Sequence, residues 1–165
     1  MYPKITIYTL ILSLITLSWM VPGGPVETRS FSNIDSAIVL GFNIFLTSLV
    51  LGALVLIYFM FKKQKWAYSL TFLVGVAFVI VFLLDLLGIF PVSLDSMNQL
   101  LFILEILGTL FGFSLMYLSY VTLKYTPSEY WSGNFQVPFS LIVIGSFLLL
   151  FGVYVIYFAT KSALH

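Results

Sequence analysis

Apolar residues fall along this chain in long unbroken runs separated by short polar stretches, without the apolar/polar alternation of a half-buried strand. Five runs stand out, at about 4–21, 36–61, 66–90, 97–123 and 137–160. A helix needs about 20 apolar residues to cross the hydrocarbon core of a bilayer, so each run predicts a transmembrane helix. Continuous apolar character argues against a membrane β-barrel, whose strands alternate at period two. The first run follows a lone Lys4, as the apolar stretch of a signal peptide does, but no small-x-small cleavage site comes after it, and it reads as a true span. The predicted fold is all-α, a single-domain integral membrane bundle of five transmembrane helices over residues 1–165.

The polar stretches predict how the helices are joined. The longest are a loop at 22–35 and one at 124–136. The first, within "VPGGPVETRSFSNID", sets two prolines and two glycines before Glu27 and Arg29, the composition of a tight ordered turn. Asn33 and Asp35 are candidate caps for the second helix. "PVSLDS" joins the third and fourth helices as a hairpin, with Pro91 ending one and Ser93, Asp95 or Ser96 capping the next. Lys4, Lys62, Lys63, Lys65 and Lys124 lie at one end of the spans and only Arg29 and Lys161 at the other, which predicts N-in/C-out by the positive-inside bias. Trp66, Trp131, Tyr125 and Tyr130 then fall at the inner interface and Trp19 at the outer one.

Composition narrows the chemistry. The chain is 61% hydrophobic and 8% charged, with a mean hydropathy of +1.13, and contains no cysteine and one histidine, His165. It therefore lacks its own ligands for haem, iron–sulfur clusters or a His- or Cys-bound zinc. Nor does it carry a glycine-rich phosphate loop, a Ser-His-Asp set or a basic patch for nucleic acid. The chain is expected to have no catalytic, cofactor or metal site of its own, and not to be an enzyme by itself. Haem or quinol, if involved, would sit in partner subunits.

The chemistry that remains is in two acids. "FLLDLLG" at 82–88 and "FILEILG" at 102–108 each set one carboxylate, Asp85 and Glu105, in apolar sequence, where an unpaired charge costs several kcal/mol. In a hairpin of helices three and four the two lie about 6 Å apart in depth at 1.5 Å per residue. Because side chains lean towards their own helix's amino terminus, the carboxyl groups approach one another. Asn43 on helix two reaches the same level, and Arg29, the only arginine, stands above it with Glu27 nearby. A guanidinium fork matches a carboxylate, so the 22–35 loop is expected to fold over the bundle and pair Arg29 with Asp85 or Glu105. Two readings stay open: a structural lock of buried acids, or a proton or cation site, since two close carboxylates in low dielectric do not both ionise easily. Towards the inner side only hydroxyls such as Thr109, Ser119 and Thr71 continue the polar line. Helix one adds a stripe of Thr6, Thr9, Ser13 and Thr16. Gly108 and Gly112 form a small-xxx-small pattern, and Gly145 and Gly152 a smooth stripe on helix five, all candidates for close helix packing.

The strings "VPGGPVETRSFSNI" and "GFNIFLTSLVLG", over residues 19–55, resemble a pattern in small uncharacterised multi-pass membrane proteins of archaea and some bacteria. In size, missing metal ligands and style the chain is also similar to accessory membrane subunits of archaeal respiratory complexes such as terminal quinol oxidases. That resemblance implies a non-catalytic accessory subunit of a respiratory, electron-transporting assembly in the cell membrane. Its partners would be lipids and unlike membrane subunits. The alternative is a self-sufficient proton- or cation-coupled transporter using Asp85 and Glu105.

Overall fold

The computed structural model describes residues 2–93, 95–133 and 137–164; Met1, Leu94, residues 134–136 and His165 lie outside the described residues. The regular structure of the described residues is all helical: α1 (Tyr2–Trp19), α2 (Ser36–Phe61), α3 (Lys65–Leu86), α4 (Gln99–Tyr125) and α5 (Phe139–Ala163), with a 3-10 turn at Ser128–Tyr130. Four of these, α2 to α5, are long and apolar enough to cross a membrane; α1, with 18 residues and its row of hydroxyls, is not among the four.

Lipid tails are as apolar as leucine, so membrane helices associate where small side chains let backbones approach. The most extensive contact, α3 with α4, is built this way. A Cβ on Gly112 would stand 3.0 Å from the carbonyl oxygen of Gly75, and one on Gly75 2.9 Å from the carbonyl oxygen of Gly112. A Cβ on Gly108 would enter the ring of Phe82. These pairings descend one helix as they climb the other, so the two run antiparallel. Gly108 and Gly112 therefore pack within the chain, against a third glycine, Gly75, that the spacing in α4 alone does not single out.

α1 lies along α4, and α2 bridges α1, α3 and α5. Leu10, Met60, Tyr68, Phe78 and Leu115 fill the centre. The hydroxyl stripe of α1 is mostly self-contained: Thr9, Ser13 and Thr16 donate to carbonyls four residues back, as an isolated hydroxyl in apolar surroundings must. Only Thr6 also reaches a neighbouring helix, meeting Thr122 of α4 at 3.0 Å.

Two boundaries differ from expectation. α3 stops at Leu86, because Gly88 adopts φ +64° and its N–H bonds the Asp85 carbonyl, a left-handed C-terminal stop that acts before Pro91 is reached. α4 starts at Gln99, with Asn98 as its cap accepting from the Leu101 N–H at 2.8 Å. Ser93 and Asp95 are drawn instead to the 22–35 loop. Asp35 caps α2 through the Ala37 N–H, whereas Asn33 donates to the Val92 carbonyl.

α5 is peripheral. Its extensive helix contact is with α2, and only Gly152, Ala159 and Ala163 are buried. A Cβ on Gly152 would meet Leu51 at 2.8 Å, so the helices touch there, but Gly145 has nothing within 4 Å. The expected glycine stripe is thus a single close approach, because Gly145 opens onto a groove that it shares with Ser48, Gly52 and Val55 of α2. At the lysine end Trp131 meets Tyr68 and Tyr130 edge-on, and Lys63 stands 5.0 Å from the Tyr130 ring centroid.

Overpacking a tight interface typically costs about 1–3 kcal/mol. Gly112→Leu is expected to lower the unfolding free energy measured by denaturing-detergent titration by an amount of that order, while Gly145→Leu leaves it unchanged. Equal effects would place the close approach elsewhere.

Candidate functional site

The 22–35 loop is a folded cap over one end of the bundle. Gly23, at φ +79°, donates to the Glu27 carbonyl and presses on α5, where a Cβ would collide with Ser162. Val26 and Phe31 are buried. Every neighbouring element holds the loop. The Phe31 N–H donates to Ala163 of α5 at 2.7 Å, Asn98 at the start of α4 donates to the Val26 carbonyl, and Ser93 and Asp95 bond the Ser30 backbone.

This stitching carries Arg29 inside. Its Nη1 and Nη2 donate to the two oxygens of Asp85 at 2.9 and 2.7 Å, a bidentate fork on the last turn of α3. Nε and Nη2 donate to Glu27 at 3.0 and 2.6 Å, and Glu27 also accepts from the Arg29 backbone N–H. The guanidinium carbon stands 5.3 Å from the Phe31 ring centroid. Burial by itself would lower the arginine pKa, but the hydrogen bonds it donates to Glu27 and Asp85 and their charges outweigh it and hold the group above its ordinary value, so it stays charged.

Glu105 completes the cluster differently. It is 0% exposed, its Oε1 is 3.8 Å from Arg29 Nη2, and neither carboxyl oxygen has a hydrogen-bond partner. Three carboxyl groups thus surround one guanidinium, and the third is beyond hydrogen-bond reach of it. Among the described residues no group of acids is placed to hold a metal ion. Glu27, Asp85 and Glu105 border a cavity of about 60 Å³, which also meets Asn43 and the rings of Phe31, Phe42, Phe82 and Phe90.

The structure brings Asp85, Glu105, Arg29 and Glu27 together around shared atoms. Asn43 borders the same cavity, but its Nδ2 donates to Thr160 of α5 at 3.1 Å. Thr160 and the four phenylalanines were not legible as site residues; the one available signal was that Thr160 is the sole serine or threonine between 147 and 160, in an apolar run that ends at the same side as Asn43. Beyond Glu105, Thr109 and Thr71 donate to carbonyls of their own helices, and the buried Ser119 hydroxyl has no partner. Chemically, the arrangement offers one permanently charged lock and one buried acceptor pair open to a proton or a cation.

Removing one partner of a buried ion pair typically costs about 3–5 kcal/mol. Arg29→Ala is expected to destabilise the protein by an amount of that order and to open the 22–35 loop to protease, with Arg29→Lys recovering little because an ammonium cannot span Asp85 and Glu27 together. The check is thermal unfolding in mild detergent with limited proteolysis; an Arg29→Ala protein that unfolds and cleaves like the parent would remove the lock from the account.

The family model described as a domain of unknown function, DUF8051, matches residues 3–137, which takes in α1 to α4 and the Ser128–Tyr130 turn and leaves α5 beyond its end. No match is found among curated proteins or among solved structures. With most of its length inside that match, including the whole loop-and-acid cluster, the chain belongs to the DUF8051 family.

Proposed function

We propose that this protein is a non-catalytic subunit of a larger membrane assembly, a five-span bundle oriented N-in/C-out in the cell membrane, that braces neighbouring helices. The observation that carries this reading is how the buried polar groups are used. Arg29, Glu27 and Asp85 are consumed in closing the loop over the bundle. The hydroxyls of α1 are largely consumed by their own backbone. Such a bundle is built to be rigid, not to carry a reaction. α5 supports the same reading, since it rests on α2 and turns most of its length outward, as a helix that lies between this bundle and a neighbour does. The resemblance to respiratory accessory subunits names an energy-transducing assembly as the first place to look, with haem or quinol in the partner chains.

A second reading is favoured by one observation, the unpartnered carboxyl oxygens of Glu105 beside a cavity. It makes the protein a proton- or cation-coupled transporter. Against it stands the far side of the bundle, where hydroxyls bonded to their own helices replace a second acid.

Gentle extraction from native membranes, followed by mass spectrometry and a visible absorption spectrum, separates the two. Unlike subunits co-purifying in fixed ratio, with a haem spectrum if the assembly is respiratory, is the expected result. A colourless homo-oligomer that moves protons or cations in liposomes, with flux lost in Glu105→Gln, would overturn the first reading in favour of the second.

A further inference from the structure

Beside the acid cavity lies a second, apolar space of about 260 Å³, bordered by α1, α2 and α5. Leu51, Val155 and Phe158 form its sides. At the loop end Pro22 borders it, and the neighbouring Gly23 closes against Phe158 and Ser162. The two spaces share a wall. Leu17, Met20, Pro22, Asn43 and Leu46 border both, so a single layer of side chains separates a niche between membrane helices from the unpartnered Glu105. Met20, unbranched and adaptable, and Asn43, held by one hydrogen bond to Thr160, are the parts of that wall best suited to yield.

We propose that the two cavities form one lateral site for an amphiphile with a small cationic amine head and a single apolar chain, the chain in the α1–α2–α5 niche and the head beside Glu105.

Charge selects the head. Glu27, Asp85 and Glu105 face one guanidinium, whose donors go to Glu27 and Asp85, and of the three only Glu105 has both oxygens without a donor. A primary ammonium brings three donors and no acceptor to those oxygens. The phenylalanine rings at the cavity suit a cation: Arg29 already lies over one of them, Phe31, and Phe42, Phe82 and Phe90 also line the space. Size selects further: about 60 Å³ admits a few water-sized groups, so an ammonium fits whereas a phosphocholine or sugar head does not. An anionic head would find the one guanidinium already taken by Glu27 and Asp85 and only acceptors at Glu105. The niche contributes the chain specificity, because its walls are almost entirely apolar and a short polar cation gains nothing there. The proposal concerns this chain's own cavities and stands whether or not unlike subunits accompany it.

Photolabelling in nanodiscs tests it. A twelve-carbon primary amine with a diazirine on its chain is compared with the matching alcohol and carboxylate. Mass spectrometry maps the labelled residues, with unlabelled dodecylamine and ammonium chloride as competitors. Saturable amine labelling at Leu51, Val155 or Phe158, competed by dodecylamine and at least tenfold above the alcohol, is expected. Glu105→Gln should remove that tenfold preference while leaving the residual alcohol labelling in place, and Val155→Phe, which fills the niche from the peripheral helix, should remove both. Equal labelling by amine and alcohol, unaffected by Glu105→Gln, would make the niche a seat for ordinary lipid chains and overturn the proposal. Competition by ammonium chloride as effective as by dodecylamine would reduce the site to a small-cation pocket, and overturns it equally.

Discussion

A guanidinium buried at the end of a membrane bundle is tolerable only when its donors are matched, and the arrangement at this end of the protein follows from matching those of Arg29. Asp85 takes one edge of the fork and Glu27 the other. To present Glu27 two residues before the arginine the loop must turn tightly, which the left-handed Gly23 permits; to keep it there, the cap of α4 and the last turn of α5 give up a side-chain amide and a backbone carbonyl to it. Residues that a linear reading assigns to helix capping are redirected for the same reason. Ser93 and Asp95 bind the Ser30 backbone, and α4 begins only at Asn98, whose side chain caps the helix with its oxygen and holds Val26 with its nitrogen.

The same constraint accounts for the unusual position of Glu105. Nη2, the guanidinium nitrogen nearest Glu105, already gives its two N–H groups to Glu27 and Asp85, so Glu105 stands at 3.8 Å, close enough to feel the positive charge and too far for a hydrogen bond. A buried carboxyl group so placed weakens the bundle on its own account, and intramembrane acids that persist at such a cost are usually there to bind something. The rigid lock and the unsatisfied acid are therefore two products of how one guanidinium nitrogen spends its donors.

Much of this was legible in the residues. Uninterrupted apolar runs identify the helices to within a few positions, because length and hydropathy are properties of each segment alone. Arg29, Glu27, Asp85 and Glu105 could be placed together because a charge within a span has few partners to choose from, and there is one arginine. What escaped depends on contacts between distant segments. Gly75 becomes a packing residue only when Gly112 is opposite it, Gly145 loses its role because it borders a groove with no helix against it, and Thr160 matters only once α5 lies along α2 at the level of Asn43. The stop of α3 at Gly88 was missed because Pro91 is the louder signal, although a left-handed glycine three residues earlier ends the helix first. The α1 segment shows a further limit of composition: its interior position comes from lying against α4, not from apolar strength of its own.

The hydrogen bond from Phe31 to Ala163 has a consequence for how the protein is made. Its two ends are 132 residues apart in the chain, 163 less 31, and the acceptor lies on the helix that follows the family-matched region. During synthesis the loop emerges early and its acid partner Asp85 follows, yet the backbone group that anchors Phe31 is supplied only when α5 has been inserted and laid against α2. The final closure of the cap is thus a late step in biogenesis, and until α5 arrives the loop around Arg29 is held from the α3–α4 side alone.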